Sequence, residues 1–136
     1  MKYLLDTNIC IALINGTSDL VRQRYLRVAH PGDLPGVCVV VTHELWYGVS
    51  KSNRVVANAN RLIAFLNSAV VVEEYSEPDS HAAGAIRADL ERQGTRIGEY
   101  DTLIAGQAFA RNLILVTANT SEFARVKGLI VEDWTV

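Results

Sequence analysis

Short apolar runs with no polar alternation recur along the chain at residues 2–5, 37–41, 70–73 and 113–116, with a shorter one at 129–131. Such runs fit strands of a parallel sheet that is buried on both faces. Between them the apolar positions recur at threes and fours instead. In 54–67, Val55, Val56, Ala59, Leu62, Ile63 and Leu66 predict a helix with a core-facing stripe. In 77–93, Ala82, Ala83, Ile86 and Leu90 predict another; Ser76 and Asp79 supply a capping box and Gly94 a stop. Further helices are predicted over 8–15, 18–29, 43–51 and 101–111, with breaks at Gly16, Pro31-Gly32 and Pro35-Gly36. Strands alternating with helices imply an α/β fold built from right-handed crossovers.

Acidic or amide residues fall where these runs stop. Asp6 follows Tyr3-Leu4-Leu5, Glu44 follows Val39-Val40-Val41, Asp101 opens a helix after the 94–100 loop, and Asn119 follows Leu113-Ile114-Leu115-Val116. Thr42 is the expected cap of the helix that carries Glu44 in its first turn. Each acid alone has an ordinary explanation, because Asp caps helices and acids suit a first turn. Together they imply more, since the carboxyl ends of parallel strands share one edge, where open α/β sheets bind ligands. Acids gathered there repel by roughly 4 kcal/mol per pair at 4 Å and an effective dielectric near 20. A cation is therefore expected among them, and an all-oxygen donor set suits Mg²⁺ or Mn²⁺. Asn119 brings no charge and is expected to act through water, with Glu99 and Glu122 as further candidate acids. Thr7, Asn8 and Thr117 are expected to orient acids or waters through hydrogen bonds.

With 136 residues and 49% hydrophobic positions, the chain has the size and apolar content of one ordinary domain, expected to span 1–136. No stretch approaches the ~20 apolar residues of a membrane helix, and nothing resembles a signal peptide, so a soluble, cytoplasmic protein is expected. Cys10 and Cys38 sit in apolar runs without metal-type spacing and are read as core residues; His30, His43 and His81 share no zinc spacing. A formal charge of −2 does not mark a polyanion binder, but the arginines gather at Arg22, Arg24 and Arg27 and at Arg87, Arg92 and Arg96. Arginine's planar fork suits phosphate, which makes these two groups the candidate basic rim, the second group first.

Leu4-Leu5-Asp6-Thr7-Asn8, Glu44-Leu45-Trp46-Tyr47-Gly48, Ile97-Gly98-Glu99-Tyr100-Asp101 with Leu103-Ile104-Ala105, and Val116-Thr117-Ala118-Asn119 through Phe123 occur in order, followed by Gly128-Leu129-Ile130-Val131-Glu132-Asp133-Trp134. This series resembles the PIN-domain ribonucleases, and within them the VapC toxins of type II toxin–antitoxin systems. The resemblance implies a single PIN domain, a three-layer α/β/α sandwich with a central parallel sheet of four to five strands. It implies that Asp6, Glu44 and Asp101 bind the metal, and that Asn119 stands where many relatives carry a fourth Asp. It also implies Mg²⁺-dependent endonucleolytic cleavage of RNA, Mn²⁺ being an expected substitute, with 5′-phosphate and 3′-hydroxyl products. The implied partners are a cognate VapB-like antitoxin, whose tail crosses the active-site groove, and a second copy in a homodimer. The alternative is a degenerate PIN module that binds RNA or protein without cutting. A phosphoaspartate enzyme of the haloacid-dehalogenase type would need Asp where Asn8 stands, and a receiver domain would need acids ahead of its phosphorylated Asp, where Met1-Lys2-Tyr3 has none.

Overall fold

Five short strands, β1 (Tyr3–Leu5), β2 (Gly36–Cys38), β3 (Val71–Glu73), β4 (Ile114–Val116) and β5 (Val131–Glu132), form one sheet in the computed structural model, which describes residues 1–136. Their order is β3-β2-β1-β4-β5, and every neighbouring pair is parallel. The helices are α1 (Thr7–Asn15), α2 (Asp19–Val28), α3 (Val39–Ser50), α4 (Val55–Ser68), α5 (Glu77–Arg92), α6 (Glu99–Ala110) and α7 (Thr120–Phe123). Leu4 and Leu5, Val37 and Cys38, and Leu115 and Val116 are all fully buried. Successive strand residues point to opposite faces, so helices must cover the sheet on both sides, giving three layers around a core that runs from Leu4 to Trp134.

The strand order matters for chemistry. From β1 the chain builds outward through β2 to β3, then returns to place β4 on the other side of β1. The crevice between β1 and β4 is thus a topological switch point, where ligands of open α/β sheets lie. Asp6 leaves β1 at that crevice, and its backbone N–H donates to the Val116 carbonyl of β4 at 2.9 Å.

Several predicted elements need correction. The valines 39–41 do not extend β2: α3 begins at Val39, and Glu44 lies in its second turn. β-branched residues read as strand by propensity, yet Val41, Thr42 and Leu45 are buried at helical spacing, and the Thr42 hydroxyl donates back to the Val39 carbonyl at 2.7 Å. Thr42 is therefore inside the helix, not its cap. β3 is an edge strand with Val71 and Val72 exposed, against the expectation of burial on both faces. The α4 stripe is also shifted, since Leu62 and Phe65 are buried while Val55, Val56 and Ile63 lie open, Val56 at 76% exposure. α6 starts at Glu99, two residues early, and the short α7 had no predicted counterpart.

At the far end of α6 a buried polar network fixes its position. Asp79 is inaccessible, and it accepts from Arg111 Nη2 at 2.8 Å, Gln107 Nε2 at 3.0 Å and the Ser76 backbone at 2.9 Å. The Ser76–Asp79 capping box is present as predicted, and Arg111 also reaches Glu73 at 2.7 Å, so one guanidinium ties β3 and α5 to the end of α6. Midway along the pair, a Cβ on Gly106 would stand 2.6 Å from the Ala83 Cβ and 2.8 Å from its backbone. Two effects then oppose each other in Gly106→Ala: better helix propensity stabilises by about 1 kcal/mol, whereas overpacking costs about 1–3 kcal/mol. Because the clash is with backbone, overpacking should win. Chemical denaturation should show a net loss of stability, and a gain would mean that α5 and α6 do not approach this closely.

Candidate active site

Asp6 caps α1, and its carboxylate is the hub of the site. Only 6% exposed, it accepts from the Thr7 backbone N–H at 2.8 Å through Oδ1 and from the Thr117 hydroxyl at 2.7 Å through Oδ2. Burial pushes its pKa up, and these two donors work against that by favouring the charged form. The Thr7 hydroxyl donates to Glu44 Oε1 at 2.9 Å, so adjacent residues at the start of α1 place one acid and hold the other. Across the crevice, Thr117 Oγ1 accepts from the Asn119 backbone at 3.0 Å, and Asn119 Nδ2 donates to Glu122 Oε2 at 2.8 Å.

Asp101 closes the group from the first turn of α6. Its pKa is raised to about 6, first by burial and then by the charges of Asp6, Glu122 and Glu44. Glu122 is among the carboxylates whose proximity raises the Asp101 pKa. The fold thus brings Asp6, Glu44, Asp101 and Glu122 together. Asn119 joins them by orienting Glu122 with its amide, and Glu99 does not join, lining a groove on the other side of the α6 turn. The sequence marked Glu122 and Glu99 equally; the three-residue step from Asn119 into α7, which aligns amide and acid, was the signal that separates them. His43 and Tyr100, the neighbours of Glu44 and Asp101, meet edge to face at 5.4 Å and tie α3 to α6 beside the acids.

Asp6, Glu44 and Glu122 are held on separate donors, and no three His, Cys, Asp or Glu side chains stand close enough to grip a single ion in these rotamers. The donor chemistry nevertheless fits a hard divalent cation, being all oxygen and strongly anionic, with one carboxyl pushed towards protonation by burial and by the others.

Beside Glu44 a second groove, about 300 Å³, runs between α1, α3 and α4 over Ile11, Ile14, Leu45 and Val49. Arg61 lies in it, bonded to the Ile14 carbonyl at 2.8 Å and Asn15 at 3.0 Å.

Acids at the end of β1 and on α3, α6 and α7 meet at the switch point of a three-layer fold, and the PIN domain model matches residues 3–129. The chain belongs to the PIN-domain family. It is 41% identical over 137 residues to the tRNA(fMet)-specific endonuclease VapC of Shigella flexneri, covering 99% of each protein. The structure of VapBC2 from Rickettsia felis bound to a promoter DNA fragment superposes with a TM-score of 0.90 at 38% identity, covering 98% of this chain and 99% of that one. DNA-bound VapBC from Salmonella typhimurium gives 0.89 at 36% identity, covering 98% of both chains. Within the family, these relatives put the chain among the VapC proteins.

The raised pKa of Asp101 has a sign that can be tested in metal-free protein. Its folded value of about 6 exceeds the ordinary value of 3.8, so between the two the folded state holds a proton that the unfolded chain has lost. Stability from this group is full below that window and is lost as pH rises through it. Asp101→Asn should therefore be more stable than wild type above pH 6, by a margin that shrinks towards pH 4. Denaturation midpoints measured across this range with a chelator present check it; a margin that does not vary with pH would contradict the assignment.

Proposed function

We propose that the protein is the toxin of a type II toxin–antitoxin pair, an endoribonuclease that hydrolyses RNA phosphodiester bonds with the help of a divalent cation, Mg²⁺ first and Mn²⁺ as substitute. The observation that carries this reading is the convergence of four carboxylates, felt most strongly at Asp101. Asp6, Glu44 and Asp101 would hold the ion, with Glu122 completing the anionic wall. Asn119 replaces the acid many relatives carry, and its amide spares the site a further charge while keeping Glu122 aimed. A bound divalent ion would supply charge neutralisation at the phosphate and a lowered pKa for an attacking water.

The chain's own groups then have distinct tasks. Thr117 and the Thr7 N–H fix Asp6 and favour its charged form against burial, and the Thr7 hydroxyl fixes Glu44. Asp101, whose proton affinity is lifted towards neutrality, is suited to take the proton of the attacking water. Attack in line on phosphorus expels the 3′ oxygen, leaving 5′-phosphate and 3′-hydroxyl ends.

The relative at 41% identity is named for tRNA(fMet), so initiator tRNA is the first substrate to try. The Rickettsia and Salmonella structures are both VapBC complexes, which supports a VapB-like antitoxin as partner. The groove over Ile11 and Leu45, flanked on α4 by exposed Val55, Val56 and Ile63, is the seat proposed for it, leading its tail to Glu44. A homodimer and a cytoplasmic setting belong to the same proposal, as does action of 1–136 as one PIN unit. Buried, unpaired Cys10 and Cys38 fit a reducing compartment, and no helix is long and apolar enough to cross a membrane. A degenerate binding module is disfavoured because Asp6, Glu44 and Asp101 are all present.

Asp6→Asn should abolish cleavage of initiator tRNA by the purified protein while leaving it folded, and a chelator should do the same to wild type until Mg²⁺ is restored. Circular dichroism and gel assays check both. Cleavage by Asp6→Asn at the wild-type rate would place the chemistry elsewhere.

A further inference from the structure

The acid cluster raises a problem that it does not solve. Asp101 feels only carboxylates as charged neighbours, so nothing at the cluster attracts the polyanionic strand flanking the bond to be cut. Several arginines are engaged elsewhere. Arg111 is locked by Asp79 and Glu73, and Arg61 by Ile14 and Asn15. Arg27 lines a cleft with Lys2, Tyr3 and His30 at the start of β1, the opposite edge of the sheet from Asp6, and Arg24 points its guanidinium at the Val136 carbonyl. That takes Arg24 and Arg27 off the rim.

One groove remains, between α5 and α6, with a volume of about 360 Å³. Arg87 and Arg96 line it, with Ser80, Thr102 and Glu99 as the other polar walls and an apolar floor that includes Leu90 and Leu103. Thr102 and Glu99 flank Asp101 on the first turn of α6, and a helix with its side chains is about 10–12 Å across. The groove is therefore one helix width from the acids. The two arginines converge on Glu91, Arg87 Nε at 3.2 Å and Arg96 Nε at 3.9 Å, which holds the guanidinium groups as a pair and leaves both Nη edges without a hydrogen bond. Glu91 and Glu99 balance the two arginines in sum, so what the groove offers an anion is the free Nη edges of Arg87 and Arg96 rather than a net charge. Arg92 is absent from the groove and pairs with Asp89 at 3.9 Å instead.

We propose that the α5–α6 groove is a substrate subsite, in which Arg87 and Arg96 clamp a backbone phosphate of single-stranded RNA flanking the scissile bond while the apolar floor carries the adjoining nucleoside. This rests on the nuclease reading and adds where the RNA runs. It separates residues that sequence grouped together, putting Arg87 and Arg96 on the path and Arg92 off it. Gly84 supplies an independent handle, because it lines the groove and an added Cβ there meets nothing within 4 Å. A leucine at 84 would enter the groove from an unobstructed Cβ, and it improves helix propensity.

The test uses a short fluorescein-labelled single-stranded RNA, with binding measured by anisotropy against salt in an Asp6→Asn background and with cleavage measured in the active protein. Arg87→Ala and Arg96→Ala should each bind at least several-fold more weakly, with a log–log salt slope shallower by about 0.7 for each phosphate left without its arginine. In the active protein they should raise KM and leave kcat nearly unchanged. Gly84→Leu should weaken binding at unaltered salt slope, and Arg92→Ala should match its parent. Weakening in Arg92→Ala equal to that in Arg87→Ala, or affinities and slopes unchanged in Arg87→Ala, Arg96→Ala and Gly84→Leu, would overturn the subsite and leave the nuclease standing. RNA binding that depends on Arg87 and Arg96 in a protein that cuts no RNA would sink the nuclease and leave the subsite standing. No measurable RNA binding by the parent would overturn both.

Discussion

Carboxylates pressed together at one edge of a parallel sheet repel one another, and the local structure around the crevice between β1 and β4 is organised to hold them there. Three of the acids rest on their own donors: Asp6 on Thr117 and the Thr7 backbone, Glu44 on the Thr7 hydroxyl, Glu122 on Asn119. Asp101 alone among them lacks such a donor, and it is the one whose proton affinity rises most clearly. The repulsion that costs stability is the same quantity that favours a divalent ion, so strain and function have one source. The neutral amide of Asn119 limits that repulsion while still fixing an acid.

The rest of the fold serves this placement. Parallel strands order the carboxyl ends along one edge, and the reversal of direction at β1 opens the crevice. α6 must present Asp101 to the crevice from the other side, and it is anchored at its far end by Arg111 and Gln107 on Asp79, with close packing of Gly106 on Ala83 between. A helix pinned at one end and packed tightly along its length delivers its first turn accurately. On that turn Asp101 faces the acids while Glu99 and Thr102 face the arginine-lined groove, so one element borders both proposed functions.

Much of this was legible in the chain. Unalternating apolar runs ending in Asp6 and Asn119 pointed to strands and a shared edge, and the four motifs in order pointed to the family. What escaped was set by contacts rather than by local pattern. The run Val39-Val40-Val41 looked like strand because β-branching favours it, and burial of Val41 with Leu45 turned it into helix. Val71 and Val72 looked buried because nothing local says that a strand lies at an edge. Glu99 and Glu122 were indistinguishable until the start of α6 at Glu99 turned one of them away from the acids and the Asn119 amide held the other among them. The exposed apolar face of α4 is legible only as a stripe; that Val56 faces outward depends on which side of the helix meets α1 and α3.

The claim on which everything else depends is that these carboxylates form one electrostatic unit that a divalent ion completes. Carbon-detected NMR titration of the Asp101 side-chain carboxyl tests it most directly, in metal-free protein and again with saturating Mg²⁺. The account predicts a pKa of about 6 without the ion and a fall of more than about one unit with it. An ordinary carboxylate value in the metal-free protein, or a raised value that Mg²⁺ leaves unmoved, would contradict it.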